Sequence, residues 1–98
     1  MYIVTRKDLS CGIQAVQGIH AAAEFAIQYP QTHQEWHQNS NYLGFLSVEN
    51  ECELEKLIAR AHSENIKISI FREPDIGNEV TAITIEPGSK SKKNFIIN

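Results

Sequence analysis

Residues Asn50 to Phe71 read NECELEKLIARAHSENIKISIF, and this stretch decides the fold. Four apolar residues recur in it at the spacing of one helix face: Leu54, Leu57, Ile58 and Ala61. This spacing predicts an amphipathic helix, and Asn50 with Glu53 three residues later forms the capping box that begins it. From Ile66 onward isoleucines occupy every second position, which predicts a β-strand. A helix followed at once by a strand indicates an α/β fold.

Another helix is predicted nearer the N-terminus. Tyr2 to Thr5 is a short, β-prone apolar run, and residues from Ile13 to about Gln28 then have helical spacing. Ser10 is the expected N-cap, and Pro30 is expected to end the helix. Its apolar face comprises Val16, Ile19, Ala23, Ala26 and Ile27, widened by Ala15, Ala22 and Phe25. We therefore expect this helix to contact neighbours on more than one side.

The remaining segments complete the order βαβαββ. Residues 29–41 are polar and are interpreted as a long loop or an irregular extra helix, whereas Tyr42 to Ser47 is predicted to be the second strand. A charged loop at 72–79 precedes a fourth predicted strand, Val80 to Ile85. The two crossover helices predict that the first three strands are parallel, and the short last connection predicts an antiparallel fourth strand. We therefore expect one three-layer α/β domain over residues 1–88, with helices packed on a mixed four-stranded sheet, and a basic tail over 89–98.

Composition limits the classes of function. The chain has 98 residues and a formal net charge of −3, which excludes a strongly basic nucleic-acid clamp but not a local basic patch. Two cysteines and no apolar run of membrane-spanning length predict a cytoplasmic protein that does not enter a membrane. The five glycines lie far apart, so no phosphate-binding glycine loop is present.

Charged residues follow the predicted strands, where ligands of open α/β sheets usually bind. Arg6, Lys7 and Asp8 follow the first strand, and Arg72 and Asp75 follow the third. One interpretation is a local phosphate-binding patch. The other is ordinary solvated charge, and the sequence does not distinguish them.

His20 is the second candidate residue. It shares a helix face with Val16 and Ala23 and has Glu24 nearby, so we expect it to be half-buried. It could act as a general base near neutral pH or be a core histidine satisfied by one hydrogen bond. His33 and His37 lack the further ligands of a zinc site, so we expect neither a metal nor a cofactor.

Four short segments carry a resemblance to one known family. Arg6-Lys7-Asp8-Leu9 resembles that family's V-R-x-D-L, and residues 12–21, GIQAVQGIHA, resemble G-K-x-A-A-Q-x-x-H-A. Residues 74–77, PDIG, and 81–88, TAITIEPG, resemble D-A-G and T-V-L-G-I-G-P-G. The family that these segments resemble is the type 2 (archaeal and eukaryotic kind) peptidyl-tRNA hydrolase family. The resemblance implies the same mixed-sheet fold and hydrolysis of the ester between a peptide and tRNA.

The resemblance also implies site residues. The catalytic residues would be Asp75, Thr81 and His20, with Asp75 or His20 as the base and Thr81 as an oxyanion donor. The resemblance gives Arg6, Asp8 and Gln17 as substrate-binding residues, and the charged strand ends described above add Lys7 and Arg72. The chain departs from the family at Ile13, where the family has a lysine implicated in catalysis, and in a shortened segment at 76–80 that lacks a family threonine.

These departures leave more than one function open. The first is a hydrolase, whose activity would be reduced unless Lys7 or Arg72 replaces the family lysine that is absent at Ile13. The second is a non-catalytic module that binds tRNA, another RNA or a protein through the same fold. A Lys or Arg head group within reach of the Asp75 carboxylate would favour hydrolysis, and without one the criterion abandons hydrolysis and keeps binding. A third option is an interaction protein that pairs through residues 29–41 if Tyr29 and Trp36 form an exposed apolar patch. The expected partner is peptidyl-tRNA or another tRNA, and a homodimer is also an option.

Overall fold

The computed structural model describes residues 1–88. Four strands are present: β1 (Tyr2–Arg6), β2 (Gly44–Val48), β3 (Ile68–Glu73) and β4 (Glu79–Ile85). Three helices lie between them: α1 (Cys11–Gln28), α2 (Pro30–Asn39) and α3 (Glu51–Ser63), and a short 3-10 turn, Pro74–Ile76, links β3 to β4. The predicted tail at 89–98 lies outside the described residues, so the boundary at residue 88 stays a prediction.

The four strands form one mixed sheet in the order β2-β1-β4-β3. β1 pairs with β2 in parallel, and β4 runs antiparallel to both of its neighbours, β1 and β3. The first three strands therefore run in one direction although β1 and β3 are not adjacent. The predicted mixed sheet is confirmed.

The helices cover both faces of the sheet, which gives the predicted three layers. The core between α3 and the sheet consists of Tyr2, Val4, Leu54, Ile58, Ala61, Ile66, Ile68, Val80, Ile83 and Ile85. Successive strand residues point to opposite faces, so the alternate residues of β1 and β3 face α1: Ile3 lies against Gly18, and the Ser69 hydroxyl donates to the carbonyl oxygen of Ala21. The predicted stripe of α3 is the stripe that it buries.

The buried face of α1 differs from the predicted one. The helix buries Gln17, Gly18, Ala21 and Phe25. Of the predicted apolar face only Phe25 is fully buried, and Val16, Ile19, Ala23 and Ile27 are exposed. Small residues decide this orientation, because a Cβ atom on Gly18 would lie 2.7 Å from the Phe45 ring of β2. Only the glycine lets the helix approach the sheet this closely, so close backbone approach outweighs hydrophobic periodicity here.

Several local predictions are confirmed or corrected by the described chain. The Asn50 side chain accepts from the Glu53 amide at 3.2 Å, and the Ser10 hydroxyl accepts from the Ile13 amide at 3.4 Å, as expected for the two N-caps. Residues 30–39 form the extra helix rather than a loop, because a proline at the first helical position loses no hydrogen bond. β3 starts two residues later than predicted and extends to Glu73.

Candidate functional site

The site lies where the carboxyl ends of β1 and β3 meet the beginning of β4. Because β4 is antiparallel and lies between them, its first residues lie at the same edge of the sheet as Arg6 and Glu73. Glu73 is directly opposite Glu79 in the β3–β4 register. Two carboxylates therefore lie at this edge beside the arginine.

A β-bulge at the start of β4 determines where Thr81 points. Phe71 pairs with Ala82 while Arg72 pairs with Val80, so Thr81 is the extra residue in β4. Strict alternation would place Thr81 on the α3 face together with Ile83. The bulge instead turns its side chain toward α1.

The turned threonine completes a line of hydrogen bonds across three elements. The Thr81 hydroxyl donates to Gln17 Oε1 at 2.7 Å, and Gln17 Nε2 donates to Glu73 Oε1 at 2.9 Å. Thr81 is fully buried and Gln17 is 4% exposed. Burial of the polar Gln17 amide is tolerated because both ends of the amide are satisfied. The Thr81 hydroxyl hydrogen is used in the bond to Gln17, so Thr81 stabilises the site from a buried position.

His20 lies one turn beyond Gln17 and is exposed rather than half-buried. Its ring stacks on Phe71 of β3, with ring centroids 4.4 Å apart and an angle of 9° between the planes. Alternate residues of β3 contact α1 one after another. Ser69 contacts Ala21, Phe71 contacts His20, and Glu73 contacts Gln17. The imidazole edge therefore faces solvent at a fixed orientation, which suits a proton acceptor.

Asp75 lies in the 3-10 turn and is exposed. Within residues 1–88, no ion pair within 4 Å joins its carboxylate to a Lys or Arg. Arg72, the predicted replacement cation, instead lies 3.9 Å from Glu55 and donates to the Asn78 carbonyl oxygen at 3.4 Å.

Arg6 is held in a buried network rather than exposed to solvent. Its guanidinium donates to both oxygens of Asp8, at 2.9 and 2.7 Å. It also donates to Glu79 at 2.7 Å and to the Val80 carbonyl oxygen at 3.1 Å. The hydrogen bonds from Arg6 hold the pKa of Asp8 below its ordinary value, and those carboxylates raise the pKa of Arg6. This geometry fits an arginine that fixes the start of β4.

Lys7 and Arg72 remain accessible. Lys7 pairs with Glu49 at 3.3 Å, and both side chains are more than half exposed. Exposed ion pairs of this kind contribute little to stability, so a phosphate can replace the carboxylate partner. The structure thus separates the three predicted cations into a buried one, Arg6, and two at the surface.

Three carboxylates of the site were not predicted from the sequence: Glu51, Glu73 and Glu79. Glu51 at the start of α3 accepts from the Val80 amide at 2.8 Å. Together with Arg6, which binds the Val80 carbonyl oxygen, it fixes the backbone next to the bulge. The alternation of β3 beyond Phe71 is the sequence signal that could have placed Glu73 opposite α1.

Other candidate features lie away from this edge. No group of three metal-ligating side chains occurs among the described residues, and the His37 ring bonds Asn41 instead. Trp36 is half-buried and donates to the Tyr42 carbonyl oxygen, so Trp36 and Tyr29 do not make the exposed apolar patch considered above. A cleft between α2 and the beginning of β1 lies at the opposite end of the sheet. No helix within residues 1–88 is both long and apolar enough to cross a membrane.

The fold and the site define a small α/β domain in which exposed ionisable side chains surround the buried Thr81–Gln17–Glu73 hydrogen bonds. The comparison with protein families identifies it further. The model of the family described as Peptidyl-tRNA hydrolase PTH2 matches residues 1–98, the whole chain, and the protein belongs to this family. No curated protein matches the chain.

Proposed function

We propose that the protein binds peptidyl-tRNA in the cytoplasm and hydrolyses the ester between peptide and tRNA slowly. The main support is the line Thr81–Gln17–Glu73, which joins α1, the helix that carries His20, to β3 and β4. Asp75 follows Glu73 by two residues, in the 3-10 turn. Family membership over the whole chain supports the substrate class.

The reaction is acyl transfer to water. His20 or Asp75 accepts a proton as water attacks the ester carbonyl carbon. The bond between that carbon and the ribose oxygen then breaks, and the ribose oxygen leaves as a hydroxyl after taking up a proton. Both candidate bases are exposed, so they are accessible to a substrate as large as tRNA.

The slow rate follows from Ile13. This residue is 48% exposed and lies one turn before Gln17 on the same face of α1. The related family sequence has a lysine there. Loss of one group that stabilises the oxyanion typically lowers a rate by roughly a hundred- to a thousandfold, and Asp75 has no ion-paired cation within the described chain to compensate.

The accessible cations are proposed to bind the tRNA. Lys7 and Arg72 lie after β1 and on β3, at the edge that carries the bases. Their ion pairs with Glu49 and Glu55 are at the surface, so tRNA phosphates can compete for them.

The decisive experiment measures release of peptide from a purified peptidyl-tRNA. We expect slow release by the wild-type protein, and a loss of at least tenfold in Asp75→Asn or His20→Ala, since one of the two supplies the base. Glu64→Gln, at the far end of α3, is the matched control. A wild-type rate no higher than the rate without protein would overturn the hydrolase.

The second candidate is a non-catalytic module that binds tRNA. By the cation criterion alone this module would replace the hydrolase, because no Lys or Arg forms an ion pair with Asp75 within residues 1–88. The exposed Ile13 also favours it. Hydrolysis stays the first candidate because the family model matches the whole chain. The binding module predicts binding of peptidyl-tRNA with no release of peptide, and that binding should not change in Asp75→Asn. The same two measurements therefore separate the candidates.

A further inference from the structure

The outer face of α1 is apolar and exposed. Val16 is 51% exposed, Ile19 68% and Ile27 74%. Ala23 is also exposed, and Ala26 is half-buried. An apolar helix face that covers no core within residues 1–88 is typical of an interaction surface.

The exposed residues have the spacing of a helix-pairing seam. Val16, Ile19, Ala23 and Ala26 are separated by three, four and three residues, which is the a/d pattern of paired helices. We define these four residues as the α1 seam. The large residues occupy its first half and the alanines its second half.

We propose that the α1 seam is the interface of a homodimer in which two α1 helices pair antiparallel about a two-fold axis near the level of Ala21. In this register Val16 of each copy faces Ala26 of the other, and Ile19 faces Ala23. Every large side chain thus meets an alanine, which lets the helices approach closely. The surface is self-complementary, as a two-fold interface requires.

The charge of α1 favours a second copy over other occupants. Among residues 11–28 Glu24 is the only Asp, Glu, Lys or Arg. A nucleic acid or an anionic membrane is held mainly by lysine and arginine, and this helix has neither.

The seam is small, which predicts a weak dimer. Four residues form it, fewer than the roughly 20–30 residues that each partner contributes to a standard specific interface. We therefore expect dissociation at low protein concentration. His20 flanks the seam, so pairing brings the second copy to the border of the candidate site.

The test is the mass of the full chain in solution by sedimentation velocity, from about 5 µM to 1 mM, a range suited to a weak interface. We expect the mass to rise from 11.1 kDa toward twice that value. Ala23→Glu should keep the chain monomeric at every concentration. Ala59→Glu is the matched control, because Ala59 is an exposed alanine inside α3, and this variant should dimerise like the wild type.

A residue swap tests the register. Ile19→Ala removes the large side chain and Ala23→Ile crowds it, so each should weaken the dimer at least tenfold. The double variant Ile19→Ala/Ala23→Ile restores one large residue against one alanine and should recover the dimer. If the face instead associates non-specifically or binds an apolar peptide, Ala23→Ile alone should strengthen that binding, because it adds apolar surface.

The proposal is overturned by a monomer throughout the concentration range, by a dimer that Ala23→Glu leaves intact, or by a double variant no better than the single ones. Thermal unfolding followed by circular dichroism verifies that each variant is folded. None of these readouts depends on hydrolysis of peptidyl-tRNA.

Discussion

The Thr81 hydroxyl on β4 donates a 2.7 Å hydrogen bond to the side-chain oxygen of Gln17 on α1. This contact joins two residues 64 positions apart in the chain. It depends on the bulge that turns Thr81 away from its regular face, and through Gln17 it reaches Glu73. This buried polar contact therefore contributes to the stability of the site.

Thr81→Val keeps the shape of the side chain and removes the donor. Gln17 Oε1 then loses its partner in a buried position, and we expect the free energy of unfolding to fall by about 2 kcal/mol. Urea denaturation measures this change. Thr84→Val is the matched control: Thr84 Oγ1 is buried with no partner in the described chain, so its removal should be neutral or stabilising. Equal losses in the two variants would contradict the role of the Thr81–Gln17 contact.

Ile13→Lys restores a cation one turn before Gln17. Because Ile13 is half exposed, a lysine fits there without burial of its charge. We expect release of peptide from peptidyl-tRNA to accelerate by roughly tenfold or more, since a cation beside the reacting carbonyl stabilises the developing negative charge. Gln28→Lys adds the same charge at the far end of α1 and should leave the rate unchanged. No acceleration in Ile13→Lys would show that the missing lysine does not limit the reaction.

Acid stability should depend on Asp8. Arg6 holds the pKa of Asp8 below its ordinary value of about 3.9. The folded-state pKa is thus lower than the unfolded one, so the stabilisation is complete above about pH 5 and is lost as the pH falls through the folded-state pKa. We expect Asp8→Asn to be less stable than the wild type at pH 7 and to lose less stability on acidification.

Urea midpoints at pH 7, 4.5 and 3 measure the effect of Asp8→Asn. Asp75→Asn removes the same charge from a carboxylate that has no ion pair in the described chain, and it should follow the wild-type profile. If the urea midpoint of Asp8→Asn falls with decreasing pH as steeply as that of the wild type, the Arg6 network does not determine the loss of stability in acid.

Binding of tRNA should depend on salt through Lys7 and Arg72. Each phosphate contact releases counterions, so the slope of log K against log salt should flatten by about two units in the double variant Lys7→Ala/Arg72→Ala. Lys56→Ala/Lys67→Ala removes the same total charge away from the site and should lower affinity without the same change in slope. Arg6 is omitted because its replacement would leave Asp8 and Glu79 unpaired and disturb the fold.

α3 and α1 show how far a hydrophobic pattern predicts packing. The α3 stripe from Leu54 to Ala61 is the face that α3 buries, because no other face of that helix is apolar. On α1 the apolar residues cover more than half the circumference, so periodicity does not determine a single inner face. The close approach at Gly18 selects the face with Gln17 and Phe25 and leaves Ile19 in solvent.

The sequence by itself determined the order of the strands and of the two helices α1 and α3, both N-caps and the mixed sheet, because these depend on local spacing and on short connections. It left α2 open between a loop and an extra helix. It also carried the family motifs around Asp8, Gln17, His20 and Asp75. Only the tertiary structure decided that Arg6 is buried, that Thr81 faces α1 and that Glu51, Glu73 and Glu79 take part in the site. A bulge shifts side-chain alternation by one residue, and a buried charge is stable only where the fold brings opposite charges to it. Both conditions depend on contacts between distant segments.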